Sequence, residues 1–268
     1  MTTIATRADG ITLRPLVTHA ERASAVRLQD DTWGAGFSER VPAAILMISE
    51  KIGGVAAGAF GPDDALLAFV FGLTGIEHGT LVHWSDMLAV RPDARGRHLG
   101  EALKHYQRER CRALGVVTMY WTFDPFVARN AHLNLNRLGA TIAEFVPDMY
   151  GNTGSRAHAL GTDRFVASWP VQSDPVAMRA DPALLAGVPV VAGDGAAAAT
   201  PAPLPVADVV AVSVPHDLSA LVANDLPRAK AWHLSARRAF AHYLNDGYRV
   251  TAFIPGGPGN AHYLLGRT

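Results

Sequence analysis

Two arginines and two glycines crowd the stretch Arg91-Pro-Asp-Ala-Arg-Gly-Arg-His-Leu-Gly100, between an apolar, strand-like run ending at Val90 and an amphipathic run starting near His98. The first turn of a helix carries amide N–H groups with no intrahelical partner, and its dipole favours an anion there. Gly96 and Gly100 lack a Cβ, so a bulky pyrophosphate can approach the main chain, while Arg95 and Arg97 add charge and donors. This pattern points to the binding of a phosphorylated ligand. A solvated basic turn whose glycine serves helix–strand packing would show the same letters.

Other reactive residue types are less organised. The eleven histidines do not fall into metal-ligand spacing, and neither His98 with His105 nor His158 with His262 has a local carboxylate or cysteine partner, so no metal is expected. Gly256-Gly-Pro-Gly-Asn260 lacks the Gly-Lys-Ser/Thr ending of a phosphate loop. Cys111 lies in the long helix, away from its phosphate end, which argues against a cysteine nucleophile. Asp124-Pro125 ends an apolar strand at its carboxyl edge, where ligands collect in open parallel sheets, so Asp124 either orients an amine or caps the next helix. Trp33, Gly34, Gly36 and Phe37 make a glycine-flanked aromatic loop, suited to lining a pocket or to packing as a staple. Asp163 and Arg164 read as an internal ion pair.

The elements that must position these residues follow from periodicity. Ile11–Leu16 alternates like a strand, and His19–Trp33 and Pro42–Ile52 read as helices, the second closed by Gly53-Gly54. Val55–Phe60 and Leu66–Leu73 flank the turn Gly61-Pro-Asp-Asp64 as an antiparallel hairpin. Leu81–Val90 is a strand, Leu99–Leu114 a helix, and Val116–Phe123 an apolar strand buried on both faces, which together predict a parallel βαβ unit. Arg129–Leu138 is a short helix stopped by Gly139, and Thr141–Val146 a further strand. Alanine, glycine and proline dominate 188–206, which reads as a linker or surface arm. Beyond it come a strand at Val209–Val214, a helix capped by Asp225 with Trp232, Ala236, Phe240 and Tyr243 on one face, and a hairpin of Tyr248–Ile254 with Ala261–Leu265. The expected fold is mixed α/β, a central mixed sheet flanked by helices, with a smaller C-terminal βαββ extension. The expected division is a catalytic domain over 1–170, a linker over 171–207 and the extension over 208–268.

Composition narrows the partners. With 268 residues and 49% hydrophobic content the chain can bury a full core. Lys+Arg and Asp+Glu both number 24, so no global field favours nucleic acid or an anionic membrane. A single cysteine makes no internal disulfide, the first residues lack the pattern of a signal peptide, and no apolar run is long enough to span a bilayer; a cytoplasmic location is expected. A homodimer built on the tail after residue 208 is compatible with the sequence.

The order strand, Arg-Gly-x-x-Leu-Gly, amphipathic helix, buried strand, short helix with an Asn, then Leu-Gly resembles the GNAT acyltransferase superfamily over roughly residues 10 to 150. That superfamily's pyrophosphate loop reads Arg/Gln-x-x-Gly-x-Gly/Ala and maps here to Arg95, Gly96, Arg97, His98, Leu99 and Gly100, with His98 in the usual place of the middle glycine. The stretches WTFDPFVARNAHLNLNRLGA (121–140), FVPDMYG (145–151) and GTDRFVASWPV (161–171) look like a bacterial branch of predicted acyltransferases with a C-terminal extension, a likeness that continues through the Trp232 helix and GYRV (247–250).

The resemblance implies acyl-CoA as co-substrate, acetyl-CoA or a larger donor such as succinyl-CoA, and a small amine, for instance an amino acid, as acceptor. The thioester would lie where the strands Leu81–Val90 and Val116–Phe123 splay apart, with the main chain of Leu88, Ala89 and Val90 against it and oxyanion contacts from the amides near Met87 to Ala89. Related enzymes place the base on this strand four or six residues before the equivalent valine, on the face shared by Leu88, Asp86 and Trp84; this nominates Asp86, with His83 in reserve. A carboxylate that only marks a bulge is the alternative at Asp86. Asn130 would contact the pantetheine or adenylate arm, and Trp33, Phe37, Trp84 and Asp124 would line the acceptor side. The usual tyrosine acid maps to Leu135, which leaves Tyr150 or Tyr120 to replace it; a non-catalytic acyl-CoA-binding module fits that gap as well.

Overall fold

Apolar runs without polar interruption build the centre of the chain: Val55–Phe60 (β3) is buried at every position, and so are the first seven residues of Leu66–Glu77 (β4). In this computed structural model, which describes residues 4–151, 160–191, 203–256 and 259–267, the chain divides into two compact units. The first comprises the described residues up to 121 together with 169–174, and the second holds the rest.

In the first unit, Ala5–Thr6 (β1), Thr12–Pro15 (β2), β3, β4 and Thr80–Val90 (β5) pair antiparallel in that order. Thr118–Phe123 (β6) joins β5 in parallel. A parallel neighbour needs a crossover, and Leu99–Ala113 (α3) supplies it. His19–Trp33 (α1) starts in a capping box, in which Thr18 accepts from the Glu21 amide and Glu21 accepts from the Thr18 amide. Together with Ala43–Lys51 (α2), α1 covers a cluster containing Leu16, Leu28, Leu46, Phe69, Phe71, Met87 and Ala89. Leu88 lies between Met87 and Ala89 and therefore points to the opposite face, toward α3.

One glycine in this sheet has no room for a side chain. A Cβ at Gly72 would stand 2.3 Å from His83 Nε2 and 2.6 Å from the Trp84 carbonyl oxygen. Gly72→Ala is expected to cost about 1–3 kcal/mol, as overpacking does, read as a lower urea midpoint at unchanged m-value.

In the second unit, Thr141–Val146 (β7) and Arg164–Pro170 (β8) pair antiparallel through residues 141–146 and 164–168. A four-stranded sheet has the order β11-β12-β10-β9, from Val190–Val191 (β9), Val209–Val214 (β10), Tyr248–Ile254 (β11) and Ala261–Arg267 (β12). Leu218–Asn224 (α5) precedes Leu226–Asn245 (α6), whose N-cap Asp225 accepts from the Arg228 amide at 3.0 Å. The buried face of α6 carries Trp232, Ala236, Phe240 and Tyr243 as expected, and Phe240 stacks edge-on with Phe165 at 4.9 Å and with Tyr263 at 5.3 Å.

Two expectations change. The arm at 188–206 contributes β9, because a two-residue edge strand needs only backbone partners that composition does not record; 192–202 lie outside the described residues, as do His158 and the middle of the 256–260 turn. The helix expected at Arg129–Leu138 is an α-turn at Ala128–Ala131 (α4) followed by a π-helical segment at His132–Arg137. Asn136 holds that wider turn by donating to the carbonyls of Met178 and Phe253, both at 3.0 Å. Among the described ion pairs the Asp163 carboxylate meets His233 at 3.2 Å and Arg237 at 3.1 Å, and Arg164 donates to the Asp163 carbonyl at 2.8 Å.

Candidate active site

The loop between β5 and α3 has the backbone that anion binding requires. Gly96 (φ 78°) and His98 (φ 56°) both take left-handed conformations, and His98 is the N-cap of α3 without a side-chain cap. None of the described hydrogen bonds engages the amides of Gly96, Arg97, His98, Leu99 or Gly100. Successive free amides on alternating backbone form an anion-binding concavity at a helix start.

The side chains leave that concavity open. The His98 ring is exposed and turns back to Glu101, 3.6 Å from its carboxylate, so histidine here reproduces the glycine-like backbone without covering it. Left-handed φ costs a non-glycine residue some strain, and this loop carries it. Arg95 is exposed and without an ion-pair partner among the described residues, and Arg97 reaches Asp9 at 3.4 Å. The two glycines differ in purpose. A Cβ at Gly96 would meet open space, whereas one at Gly100 would lie 3.3 Å from Leu88 Cδ2, so Gly100 serves the close approach of α3 to β5.

Above the loop the sheet opens. The β5–β6 ladder covers only Val82–Trp84 against Thr118–Tyr120; Ser85 and Trp121 are the first residues past the last rung. From Ser85 onward the β6-facing edge of β5 is free for a ligand.

A bulge sits at this fork. Phe71 pairs with Met87 and Gly72 with Ser85, so Asp86 is the extra residue of β5. The bulge overturns the alternation that grouped Leu88, Asp86 and Trp84: Leu88 now shares the α3 face with His83 and Ser85, and Met87 and Ala89 face α1 and α2. Asp86 remains accessible to solvent, yet the surrounding protein desolvates it and raises its pKa, with the charge of Glu39 adding to the rise. Trp33, at the end of α1, and Phe37, on the loop that carries Glu39, stack at 5.4 Å and pack against the cluster containing Met87 and Ala89. Trp84 is half-buried, 6.5 Å from the Tyr120 ring.

The α3 face of the fork holds the reserve candidate His83 together with Lys104 and Gln107, which sequence reasoning passed over. His83 is fully buried; Gln107 donates to its Nε2 at 3.0 Å, and its Nδ1–H donates to Thr74 at 2.9 Å, which in turn donates to the Gly53 carbonyl. This network fixes a neutral imidazole, and burial, with Lys104 assisting, pushes its pKa down to about 3. His83 is therefore no reserve base. Lys104 is 5% exposed, donates to Ser85 Oγ at 2.8 Å and lies 4.0 Å over the Trp121 ring. The helical spacing Gly100, Lys104, Gln107, Cys111 was the available signal, since these positions lie on one face.

The remaining predicted residues belong to the second unit. Asn130 sits inside α4, donating its amide to the Val127 carbonyl, so it is no N-cap. Asp124 accepts from the Phe126 amide at 2.8 Å in a local turn rather than capping α4, whose N-cap is Val127; desolvation raises its pKa. The Tyr150 hydroxyl meets Thr122 Oγ1 at 3.0 Å, with the Arg164 guanidinium 5.4 Å from its ring. A pocket of about 370 Å³ in this unit is lined by Arg129, His132, His216 and Leu218 among others, and none of the predicted site residues lines it. Among the described residues no group of three His, Cys, Asp or Glu side chains is placed to hold a metal. No described helix is long and apolar enough to cross a membrane.

No protein-family model matches the sequence, and no curated protein does. Solved structures with a similar backbone include an acetyltransferase from Salmonella typhimurium, described as putative, with its cofactor acetyl-CoA (16% identity, 60% of this chain and 94% of that one, TM-score 0.47). The ribosomal-protein-S18-alanine N-acetyltransferase of Escherichia coli is similar at 17% identity, over 65% of this chain and 96% of that one, with TM-score 0.45. A GNAT superfamily phosphinothricin acetyltransferase from Sinorhizobium meliloti in complex with acetyl-CoA is similar at 18% identity, over 60% and 88%, with TM-score 0.47.

Proposed function

We propose that the chain is an N-acyltransferase that moves an acyl group, acetyl or larger and including succinyl, from acyl-CoA to a small amine such as an amino acid, by direct attack in a ternary complex. The observation that carries this reading is the run of free amides from Gly96 to Gly100 directly after a strand whose parallel ladder has opened at Ser85. A pyrophosphate and a thioester require such a cradle and such a fork. Arg95, Gly96, Arg97, His98 and Leu99 hold the phosphates, with Gly100 setting the loop against β5. The main chain of Leu88, Ala89 and Val90 holds the thioester, and Asn130 contacts the cofactor arm. Asp86 takes the proton from the amine. Trp33, Phe37, Trp84 and Asp124 line the acceptor side, and Tyr150 is the acid that the sequence offers for the thiolate. Metal chemistry, nucleic acid and membrane form no part of this reading, which is set in the cytoplasm. A homodimer through the tail after 208 is compatible with it.

The test mixes purified protein with acetyl-CoA or succinyl-CoA and a panel of D- and L-amino acids and amines. Free CoA thiol above the hydrolysis background is expected with at least one pair, and its absence from all of them counts against the reading. Arg95→Ala is expected to raise KM for acyl-CoA about 10-fold or more at little change in kcat, the size of one lost charge-assisted hydrogen bond. Steady-state kinetics in the donor checks it.

A non-catalytic acyl-CoA-binding module is favoured by one observation: Leu135, in the position of the superfamily's acid, is fully buried and apolar. Calorimetry showing CoA binding, joined to no turnover with any amine, would select that reading.

A further inference from the structure

Lys104 is the buried group that the proposed reaction leaves unused. An ammonium has three protons to donate; one goes to Ser85, the indole face of Trp121 lies 4.0 Å away, and among the described residues Lys104 has no carboxylate partner. Buried charges are ordinarily paired. The ionisable groups around it are His83 on β5 and Cys111 on α3, neither of which is anionic as placed: His83 is neutral and the Cys111 thiol is pushed up to about 12 by burial. The position matters as much as the lack of a partner. Ser85 and Trp121 are the residues immediately past the last rung of the β5–β6 ladder, so Lys104 holds the base of the fork.

We infer that Ser85, backed by Lys104, takes the place of Tyr150 as the proton donor to the departing CoA thiolate. The inference rests on the acyltransferase reading, in which the thioester occupies that fork. In the step, the amine nitrogen bonds to the thioester carbon and gives a proton to Asp86. The C–S bond then breaks with its electron pair on sulfur, sulfur takes the Ser85 hydroxyl proton, and Ser85 oxygen takes one from Lys104. The products are the amide and CoA thiol, with Asp86 protonated and Lys104 neutral; one proton passed between them through water restores both. Burial lowers the Lys104 pKa well below that of a free lysine, which makes its ammonium a readier proton donor. The arrangement fills the role that Leu135 leaves empty.

The test uses full-length protein with the acyl-CoA and amine pair that wild type turns over. Lys104→Met and Ser85→Ala are each expected to lower kcat about 100-fold or more with KM for acyl-CoA held, the size of a lost general acid. Ser85→Thr, which keeps the hydroxyl, is expected to retain most of the rate. In wild type kcat should fall at high pH as Lys104 loses its proton, and that limb should vanish in Lys104→Met. Wild-type kcat and pH profile in Lys104→Met, or loss of the limb in Tyr150→Phe instead, would overturn the inference while leaving the transferase intact. No CoA release by wild type with any pair would overturn both. Should Lys104→Met fail to fold by circular dichroism, the contrast between Ser85→Ala and Ser85→Thr decides.

Discussion

Asp86→Asn is expected to lower kcat by about 10²–10⁴-fold, the span of general-base contributions, with KM for acyl-CoA unchanged. The substitution removes a proton acceptor and keeps the shape, so the bulge in β5 and the loop that follows stay in place. Bulges re-aim side chains beside sites of chemistry, and here the extra residue is the carboxylate itself, one position past the opening at Ser85 and in contact with solvent. Its raised pKa, from desolvation first and from Glu39 second, gives the pH dependence a direction. A base acts deprotonated, so the wild-type rate should climb with pH through a midpoint above that of an ordinary aspartate. The limb should be absent in Asp86→Asn. Glu39→Gln removes the second cause and should move the midpoint down without removing the limb. Full kcat in Asp86→Asn would take the base assignment away and leave the role proposed for the β5–α3 loop untouched.

Much of this architecture is written in periodicity, and the failures have local causes. The helix expected at His19–Trp33 has those bounds because its apolar spacing agrees with its caps. The loop between β5 and α3 is legible because Gly96 and the helix start are local features of the chain, and the fork follows from a parallel pair joined by a crossover. The bulge is not legible. Nothing in Trp84-Ser-Asp-Met-Leu88 says that two residues of β5 oppose one of β4, and a single inserted residue moves every later side chain to the other face. The buried lysine fails for a different reason: a polar letter in an amphipathic helix is read as solvent-facing, although Lys104 shares a face with Gly100, Gln107 and Cys111. The β8 strand went unread because the polar run Thr162-Asp-Arg164 at its N-terminal end masks the apolar residues that follow, and the partners of Asp163 on α6 come from far along the chain.

The buried histidine beside the fork predicts how the fold itself responds to acid. His83 is held neutral with a pKa of about 3, against about 6.5 in an unfolded chain. Between those values the unfolded state binds a proton that the folded state refuses, so the stability tied to His83 is complete above about pH 6.5 and drains away as pH falls toward 3. At about 1.4 kcal/mol per pH unit, roughly 2–3 kcal/mol should be lost between pH 7 and pH 4.5 from this residue alone. Urea unfolding at the two pH values measures the loss, and His83→Gln, which cannot take up the proton, should show a visibly shallower dependence. An unchanged slope in that variant would mean that other groups control acid unfolding. Lys104 links this prediction to the fork. Its positive charge is the second cause of the low His83 pKa, after burial, so Lys104→Met should ease protonation of His83 and flatten the same slope in part. A variant that alters turnover through the leaving thiolate would then also soften the fold's response to acid, because one ammonium lies beside both groups.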